Sequence, residues 1–465
     1  MTLAAEDILP DPERFRHVHM MGIGGIGMAG LARLLAARGF AVSGCDACPT
    51  ELTRRLAADG IPVSAGHAAE HLGKPWADWS VFSPAVPPEN GERRAAAELG
   101  IPCLRRGEVL PALAARRRTL AVAGTHGKTT TSSMLLHALR GNGRAPGWCI
   151  GGEVWPDRWP GGEGAEDLLV IEADESDGTL ARYRTETAVV ASIEPDHLEH
   201  FSDYGDLLAC FRTFLAGARR RIACADNPDA ARLGSEFGAV RYGIDAADCR
   251  IGAAELAFDA GGIDYTLRVD GADAGRFRLP LPGRHNLLDA LGAVAAAETA
   301  GVEPVAAAAA LATCRLPGRR MELAGEGRGI RVLSDYAHHP SEIRALLEAV
   351  RQTGPKRILA VFQPHRYTRT RAMAADFPSA FAGADRVLLL PVYAASEPPL
   401  EGGTSEDLAR AWRAAPGAPP VETPADFAAA EERLAELWTP GDTVLLVGAG
   451  DIIRMAPRLA ARLAE

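Results

Sequence analysis

The stretch Thr119-Leu-Ala-Val-Ala-Gly-Thr-His-Gly-Lys-Thr-Thr-Thr131 runs without a break from a small apolar strand through a glycine turn into the start of an apolar helical segment. Strand, tight turn and helix start in direct succession make a phosphate cradle, because the first N–H groups of a helix lack intrahelical partners and point together at an anion. Gly124 and Gly127 let the backbone close on that anion, Lys128 brings a point charge to the terminal phosphates, and the Thr129 hydroxyl can join a Mg2+ shell. Thr125, His126 and Thr130 complete the expected ATP-binding loop. Val122 stands where the full G-x-x-x-x-G-K-T pattern has its first glycine, so the loop is a shortened relative of that pattern. Lys128 is one of only three lysines among 50 Lys and Arg residues, the others being Lys74 and Lys356.

Outward from the loop, the apolar runs 167–174, 187–193 and 222–226 alternate with helical segments such as 204–218, which predicts a parallel sheet covered on both faces. Shorter strands at 249–281 predict a small antiparallel patch, and Ala-rich helices at 287–300 and 303–314 close this part. Upstream, a strand at 17–22 meets Gly22-Ile-Gly-Gly-Ile-Gly27, a helix at 28–38 and a strand ending near Asp46, a βαβ opening. Gly22, Gly24 and Gly27 fit G-x-G-x-x-G. That loop suits a dinucleotide, the diphosphate of another nucleotide, or close strand–helix packing alone. Strand candidates at 61–63, 79–86 and 101–104 follow, with the rigid Ser83-Pro-Ala-Val-Pro-Pro88 at a strand's carboxyl end. A third α/β run has strands at 330–334, 357–362, 386–391 and 443–447, helices at 341–351, 406–413 and 426–436, and a Pro/Gly-rich loop at 392–405. Polar Arg116-Arg-Arg118 and Leu316-Pro-Gly318 mark the boundaries, giving expected domains 1–117, 118–316 and 317–465.

At 465 residues with 47% hydrophobic content, the chain has material for about three cores by the usual domain-size prior. A formal charge of −10 leaves no broad basic face, so nucleic acid is not an expected partner. Eight scattered Cys residues fit a reducing compartment, and Cys45-Asp-Ala-Cys48 reads as surface loop. No run of 18 uninterrupted apolar residues exists, so no stable membrane insertion is expected and the cytoplasm is the expected location.

Four clusters of charged or histidine residues end predicted strands. Glu172, in Val-Ile-Glu-Ala-Asp-Glu-Ser-Asp177, is either a metal ligand or a helix N-terminal carboxylate, and His197, after Asp196, is either a ligand or a loop histidine. Asp335-Tyr-Ala-His-His-Pro340 lacks a third ligand at metal spacing. In Phe362-Gln-Pro-His-Arg-Tyr-Thr-Arg369, Arg366 and Arg369 stand at i and i+3, on one face if a helix has begun, and would clamp a carboxylate or a transferring phosphoryl group.

Taken together with Leu281-Pro-Gly-Arg-His-Asn286 and Gly318-Arg-Arg320, these motifs resemble the Mur ligases over residues 15–455, and within them the alanine-adding branch. The resemblance implies an α/β, three-domain architecture: a Rossmann-like N-terminal domain, a central P-loop ATPase-like domain and a Rossmann-like C-terminal domain. It implies an ATP-dependent carboxylate–amine ligase of peptidoglycan precursor synthesis, joining L-alanine to the lactyl carboxylate of UDP-N-acetylmuramate, as a monomer or homodimer. It reassigns Gly22, Gly24 and Gly27 to UDP-sugar binding, with His67 and Ser83 as further candidates there. Thr129, Glu172 and His197 become the Mg2+ set, Asn286 and Asp335 nucleotide contacts, and Arg320 a phosphate-facing arginine. His338, Arg366 and Arg369 fall on the amino-acid side, so that Lys128, His197, Arg320, His338, Arg366 and Arg369 form the expected catalytic set. Several relatives use a carbamoylated lysine for a second Mg2+, but this chain has no lysine between Lys128 and Lys356.

Overall fold

Alternating buried strands and amphipathic helices build three sheets in this computed structural model, which describes residues 4–9, 11–73, 77–196, 200–395 and 397–464. The chain divides into two compact units, Met1–Glu255 with Tyr265–Arg278 and Leu288–Pro317, and Leu256–Asp264 with Leu279–Leu287 and Gly318–Glu465.

In the first unit, a five-stranded sheet places Val63–Ala65, Ala41–Asp46, His17–Met21, Trp79–Phe82 and Cys103–Arg105 side by side in that order. Every pairing is parallel. The order reverses direction at His17–Met21, and such a switch point opens a crevice at the carboxyl ends of the strands, where the Gly22 loop begins. A second sheet of ten strands, most of it in this unit, runs Ala272–Leu279, Gly262–Val269, Ile251–Asp259, Val240–Gly243, Ala218–Cys224, Thr185–Val190, Arg118–Ala123, Leu168–Glu172, Gly147–Val154 and Trp159–Gly162. Leu120 to Ala123 are at most 1% exposed, which is why this strand reads as an unbroken apolar run rather than an alternation. The helix Lys128–Gly141 follows directly.

The edge strand Trp159–Gly162 and its neighbour Gly147–Val154 have no apolar periodicity to betray them, being rich in Gly, Trp and Pro. The helix Ile26–Ala37 packs against this edge so closely that a Cβ on Gly161 would lie 2.5 Å from Gly30 Cα. Arg33 and Arg55 each place a guanidinium 4.1 Å from the Trp159 ring, a cation–π clamp on the same contact.

In the second unit the sheet order is Glu322–Gly327, Ile330–Asp335, Thr443–Val447, Ile358–Phe362, Arg386–Leu389 and Val421–Glu422, parallel except for the first strand. Period-two alternation divides its core. Leu333, Ala360, Phe362 and Leu445 face the helices Pro340–Gln352 and Ser405–Ala414, while Val332, Val361, Val444 and Leu446 face Phe427–Leu437 and Met455–Ala464. Among the described residues, no helix is long and apolar enough to cross a membrane.

The contact at Gly161 generates the first prediction. Gly161→Val should destabilise the first unit by about 1–3 kcal/mol, the usual cost of overpacking, read as a lower urea midpoint; an unchanged midpoint would show that the helix can retreat from the sheet without loss.

Candidate functional site

The segment 118–141 forms the strand, glycine turn and helix start that its sequence predicts. Gly127 caps the helix Lys128–Gly141 with φ of 81°, and a Cβ there would meet Asp289 Oδ1 at 2.4 Å, so backbone conformation and space both require glycine. Asp289 in turn accepts from Thr131 Oγ1 at 3.0 Å. Thr125 and His126 are pinned to the end of the neighbouring strand, Thr125 N donating to Ser192 O at 3.0 Å and His126 N to Ser192 Oγ at 2.8 Å.

Lys128 folds back over its own loop. Its Nζ donates to Gly124 O at 2.6 Å, Thr125 O at 3.2 Å and Glu175 Oε1 at 3.0 Å. Burial alone would lower the lysine's pKa, but Glu175, Asp174 and Glu172 more than offset it, so the ammonium is held well above its ordinary value. Thr129 Oγ1 donates to Glu172 Oε2 at 2.8 Å, and Gly151 N donates to the same oxygen at 2.8 Å. Thr130 is buried in the first helical turn. The hydroxyl and carboxylate oxygens of Thr129 and Glu172 are the hard donors that Mg2+ takes. His197 lies outside the described residues.

Around the Gly22 loop, Gly24 N donates to Asp46 Oδ2 at 2.9 Å, so this carboxylate secures the loop itself. Ser83 packs against Gly22, where a Cβ would come within 3.0 Å of Ser83 Cβ. Arg106 went unnoticed in the sequence. Its guanidinium covers Gly27, where a Cβ would lie 2.7 Å from Nη1, and its Nη2 lies 3.8 Å from Asp174 Oδ2. The signal available was positional, since Arg106 opens a helix directly after the parallel strand Cys103–Arg105. His67 Nδ1 lies 2.8 Å from Glu92 Oε2 and 3.2 Å from Cys45 Sγ, so the ring belongs to a buried cluster. That cluster also corrects the reading of Cys45-x-x-Cys48 as surface loop: Cys48 is exposed, but Cys45 is buried at the end of a parallel strand.

The second unit assembles its own cluster. Arg319 and Arg320 stand 4.9 and 5.6 Å from the Tyr336 ring. Asp335 accepts from Met321 N and Ala337 N, both at 2.8 Å, and burial pushes its pKa up against the opposing effect of Arg320 and these N–H groups. Asn286 is buried, with Nδ2 donating to Pro282 O at 2.6 Å. His338 Nδ1 lies 3.0 Å from Tyr336 O, and its ring lies 5.9 Å from that of His365. The adjacent His339 is a helix cap, accepting from Ser341 N at 3.3 Å. Arg366 precedes its helix, Tyr367–Ala372, with φ of 68°. The shared helical face, which required a helix to have begun at Arg366, therefore does not exist, because Arg366 has positive φ and extended ψ ahead of the first helical residue. The two are gathered instead around His365, with Arg369 Nη1 3.3 Å from His365 Nδ1. Burial first, then His338, Arg369, Arg366 and Arg319, lowers the His365 pKa to about 3. Tyr393 stacks on the ring at 5.5 Å.

Comparison with known proteins adds to this geometry. Three family models match: Mur ligase family, catalytic domain, over residues 17–118; Mur ligase middle domain over 162–297; and Mur ligase, glutamate ligase domain, over 319–450. The chain is 43% identical over 463 residues to a UDP-N-acetylmuramate–L-alanine ligase of Kineococcus radiotolerans, covering 97% of each chain. It is 40% identical to the enzyme of that name from Mycobacterium marinum, covering 99% of this chain and 97% of that one. Its structure is similar to that of a UDP-N-acetylmuramate–alanine ligase from Thermotoga maritima, with a TM-score of 0.82 and 26% identity over 96% of this chain and 98% of the other.

His365 yields a pH prediction. Its folded pKa lies below the ordinary value of 6.5, so between pH 6.5 and about 3 the unfolded chain binds a proton that the folded chain does not. Stability should therefore fall as pH drops through that window and be independent of this group above it. His365→Gln should remove about one proton from the slope of unfolding free energy against pH near pH 5; an unaltered slope would mean that His365 titrates normally in the fold.

Proposed function

The chain belongs to the Mur ligase family, and from that premise we propose that it joins L-alanine to the lactyl carboxylate of UDP-N-acetylmuramate, converting ATP to ADP and phosphate. The observation that carries this reading is the Lys128 and Thr129 cradle, backed by Glu175 and Glu172, in a chain 43% identical end to end to an enzyme of that activity. The reaction supplies peptidoglycan precursor, and because ATP and nucleotide sugars are cytoplasmic metabolites, it belongs to the cytoplasm. Residues 1–117 hold the UDP-sugar, 118–316 the ATP and 317–465 the amino acid.

Chemically, the lactyl carboxylate attacks the γ-phosphorus of ATP, forming an acyl phosphate and releasing ADP. Two anions must meet in this step, so positive charge has to be fixed in place beforehand. Lys128 supplies it by exchanging Glu175 and the loop carbonyls for phosphate oxygens, and Arg320 adds charge on the transferring group. Thr129, Glu172 and His197 would hold Mg2+, which when bound supplies further neutralisation of the phosphates. Gly22, Gly24 and Gly27 take the UDP diphosphate on backbone N–H groups, with Ser83 beside them and the Arg106 guanidinium above Gly27 adding charge. Asn286 and Asp335 contact the nucleoside of ATP.

In the second step the neutral amine of L-alanine attacks the acyl carbonyl, and phosphate leaves from the tetrahedral intermediate. Arg366 and Arg369 bind the alanine carboxylate, and His338 positions the amine or accepts its proton. His365 stays neutral between these arginines, so it adds no charge of its own to their anion site.

The direct test follows phosphate release with ATP and UDP-N-acetylmuramate while the amino acid is varied, with the product mass recorded. L-alanine should give the highest kcat/KM; a murein tripeptide used in its place with alanine inert would overturn the reading. Lys128→Ala should lower turnover by about 10²–10³ while leaving the fold intact, and near-normal turnover at saturating MgATP would remove Lys128 from the chemistry. Arg369→Lys should raise KM for L-alanine with little change for ATP or the sugar, because lysine keeps the charge but loses the planar fork. Equal weakening of ATP would instead move Arg369 to the phosphate side.

A further inference from the structure

Behind the Gly22 loop lies a buried polar cluster that none of the chemistry above uses. Glu92, in the helix Gly91–Glu98, is wholly buried. Its Oε2 accepts from Cys45 Sγ at 2.9 Å and lies 2.8 Å from His67 Nδ1. Its Oε1 accepts from Ala68 N at 3.2 Å and is in short contact with His71 Nδ1. His19, 2% exposed, points Nε2 at the same oxygen from 3.6 Å, beyond hydrogen-bond distance, and that nitrogen has no hydrogen-bond partner. The other nitrogen of this ring, Nδ1, is 3.0 Å from Ser43 Oγ. With Ser43 accepting from Nδ1–H, the Nε2 lone pair faces the cluster, which is the tautomer a metal-bound imidazole adopts. Ligand atoms of His19, Cys45, His71 and Glu92 all lie within 4.8 Å of one another.

We propose that His19 Nε2, Cys45 Sγ, His71 Nδ1 and the Glu92 carboxylate form a site for a zinc-class divalent transition ion, with His67 orienting the carboxylate. The competing arrangement is a hydrogen-bonded network in which one histidine is protonated as counter-ion to Glu92. Donor chemistry separates the two: a thiolate, two imidazoles and a carboxylate make a four-ligand set suited to zinc and unsuited to Mg2+, which takes hard oxygen ligands. Charge separates them again, because one thiolate and one carboxylate balance a divalent ion and leave a neutral cluster in a place where net charge is costly. A ligated ion also gives the buried His19 Nε2, which has no hydrogen-bond partner and stands 3.6 Å from Glu92 Oε1, a direct bond.

The four donors come from four segments: the strands His17–Met21 and Ala41–Asp46, the turn Ala69–Leu72 and the helix Gly91–Glu98. The ion ties them together directly under the loop, since Cys45 O accepts from Gly22 N at 2.8 Å and Ile23 N at 3.1 Å. Binding is a ligand exchange without redox change. The metal–sulfur bond replaces the Cys45 S–H bond, and the proton leaves to solvent, so affinity rises with pH.

The test uses the full chain, stripped with a chelator and held in excess Mg2+ to fill oxygen-ligand sites. Titration with Zn2+ against a chromophoric chelator should show one tight equivalent with proton release, a higher Tm, and slower amide exchange at Gly22 to Gly24. Co2+ should give a thiolate-to-cobalt charge-transfer band. Cys45→Ser should abolish that band, and Cys45→Ser and His71→Asn should each weaken Zn2+ by more than the roughly 10–100-fold that loss of an outer partner costs. If Cys45→Ser does not fold, His71→Asn, at a partly exposed turn position, decides the matter. No stoichiometric Zn2+ binding, a Co2+ complex without the thiolate band, or unchanged Zn2+ affinity in the folded variants would overturn the proposal and leave the hydrogen-bonded network.

Discussion

A lysine ammonium placed among buried side chains must be paired, and the surroundings of Lys128 answer that constraint. Glu175, wholly buried, takes the charge, while two loop carbonyls take the remaining N–H bonds. The pairing is strong enough to hold the lysine charged despite burial. The loop is thereby held in one conformation. Its helix start, its glycine at positive φ and its Thr129 to Glu172 contact are fixed by the two neighbouring strands, Leu168–Glu172 and Thr185–Val190, on either side of Arg118–Ala123.

The second unit solves the opposite problem, a concentration of positive charge. Burial above all, and then His338, Arg369, Arg366 and Arg319, lower the pKa of one imidazole, that of His365, so that it stays neutral. Tyr336 and Tyr393 add ring faces to the group, one beneath Arg319 and Arg320 and one stacked on His365. His365 itself has Arg369 Nη1 3.3 Å from its Nδ1, the Tyr393 ring stacked at 5.5 Å and the His338 ring at 5.9 Å.

At the five-stranded sheet, two side chains bear on one backbone turn. Asp46 takes the Gly24 N–H from one direction, and Arg106 covers Gly27 from another. Both lie at carboxyl ends of parallel strands, where side chains from separate strands converge on one crevice. The cluster centred on Glu92 sits below this turn and bears on it through the Cys45 carbonyl.

How much of this was legible depended on whether the determining forces were local. The phosphate loop, the strands at 118–123, 168–172, 330–335 and 443–447, and the helices between them were readable because apolar periodicity and the needs of a glycine turn are written in consecutive residues. The identity of the site-bearing motifs was equally local: Lys128, Thr129, Glu172 and the arginine run stand in short contiguous stretches. The sequence by itself thus determined the α/β alternation, the phosphate chemistry and the family. Tertiary structure alone decided which carboxylate pairs with Lys128, since Asp174, Glu175 and Asp177 are chemically alike along the chain and only the turn after Glu172 selects Glu175. It likewise decided that Arg106 reaches Gly27, that Arg366 leaves the helical face of Arg369, and that His19, Cys45, His71 and Glu92, scattered over four segments, meet at one buried point. The physical reason is that pairing energies depend on distances between atoms that chain order does not constrain, whereas propensity and periodicity act between near neighbours.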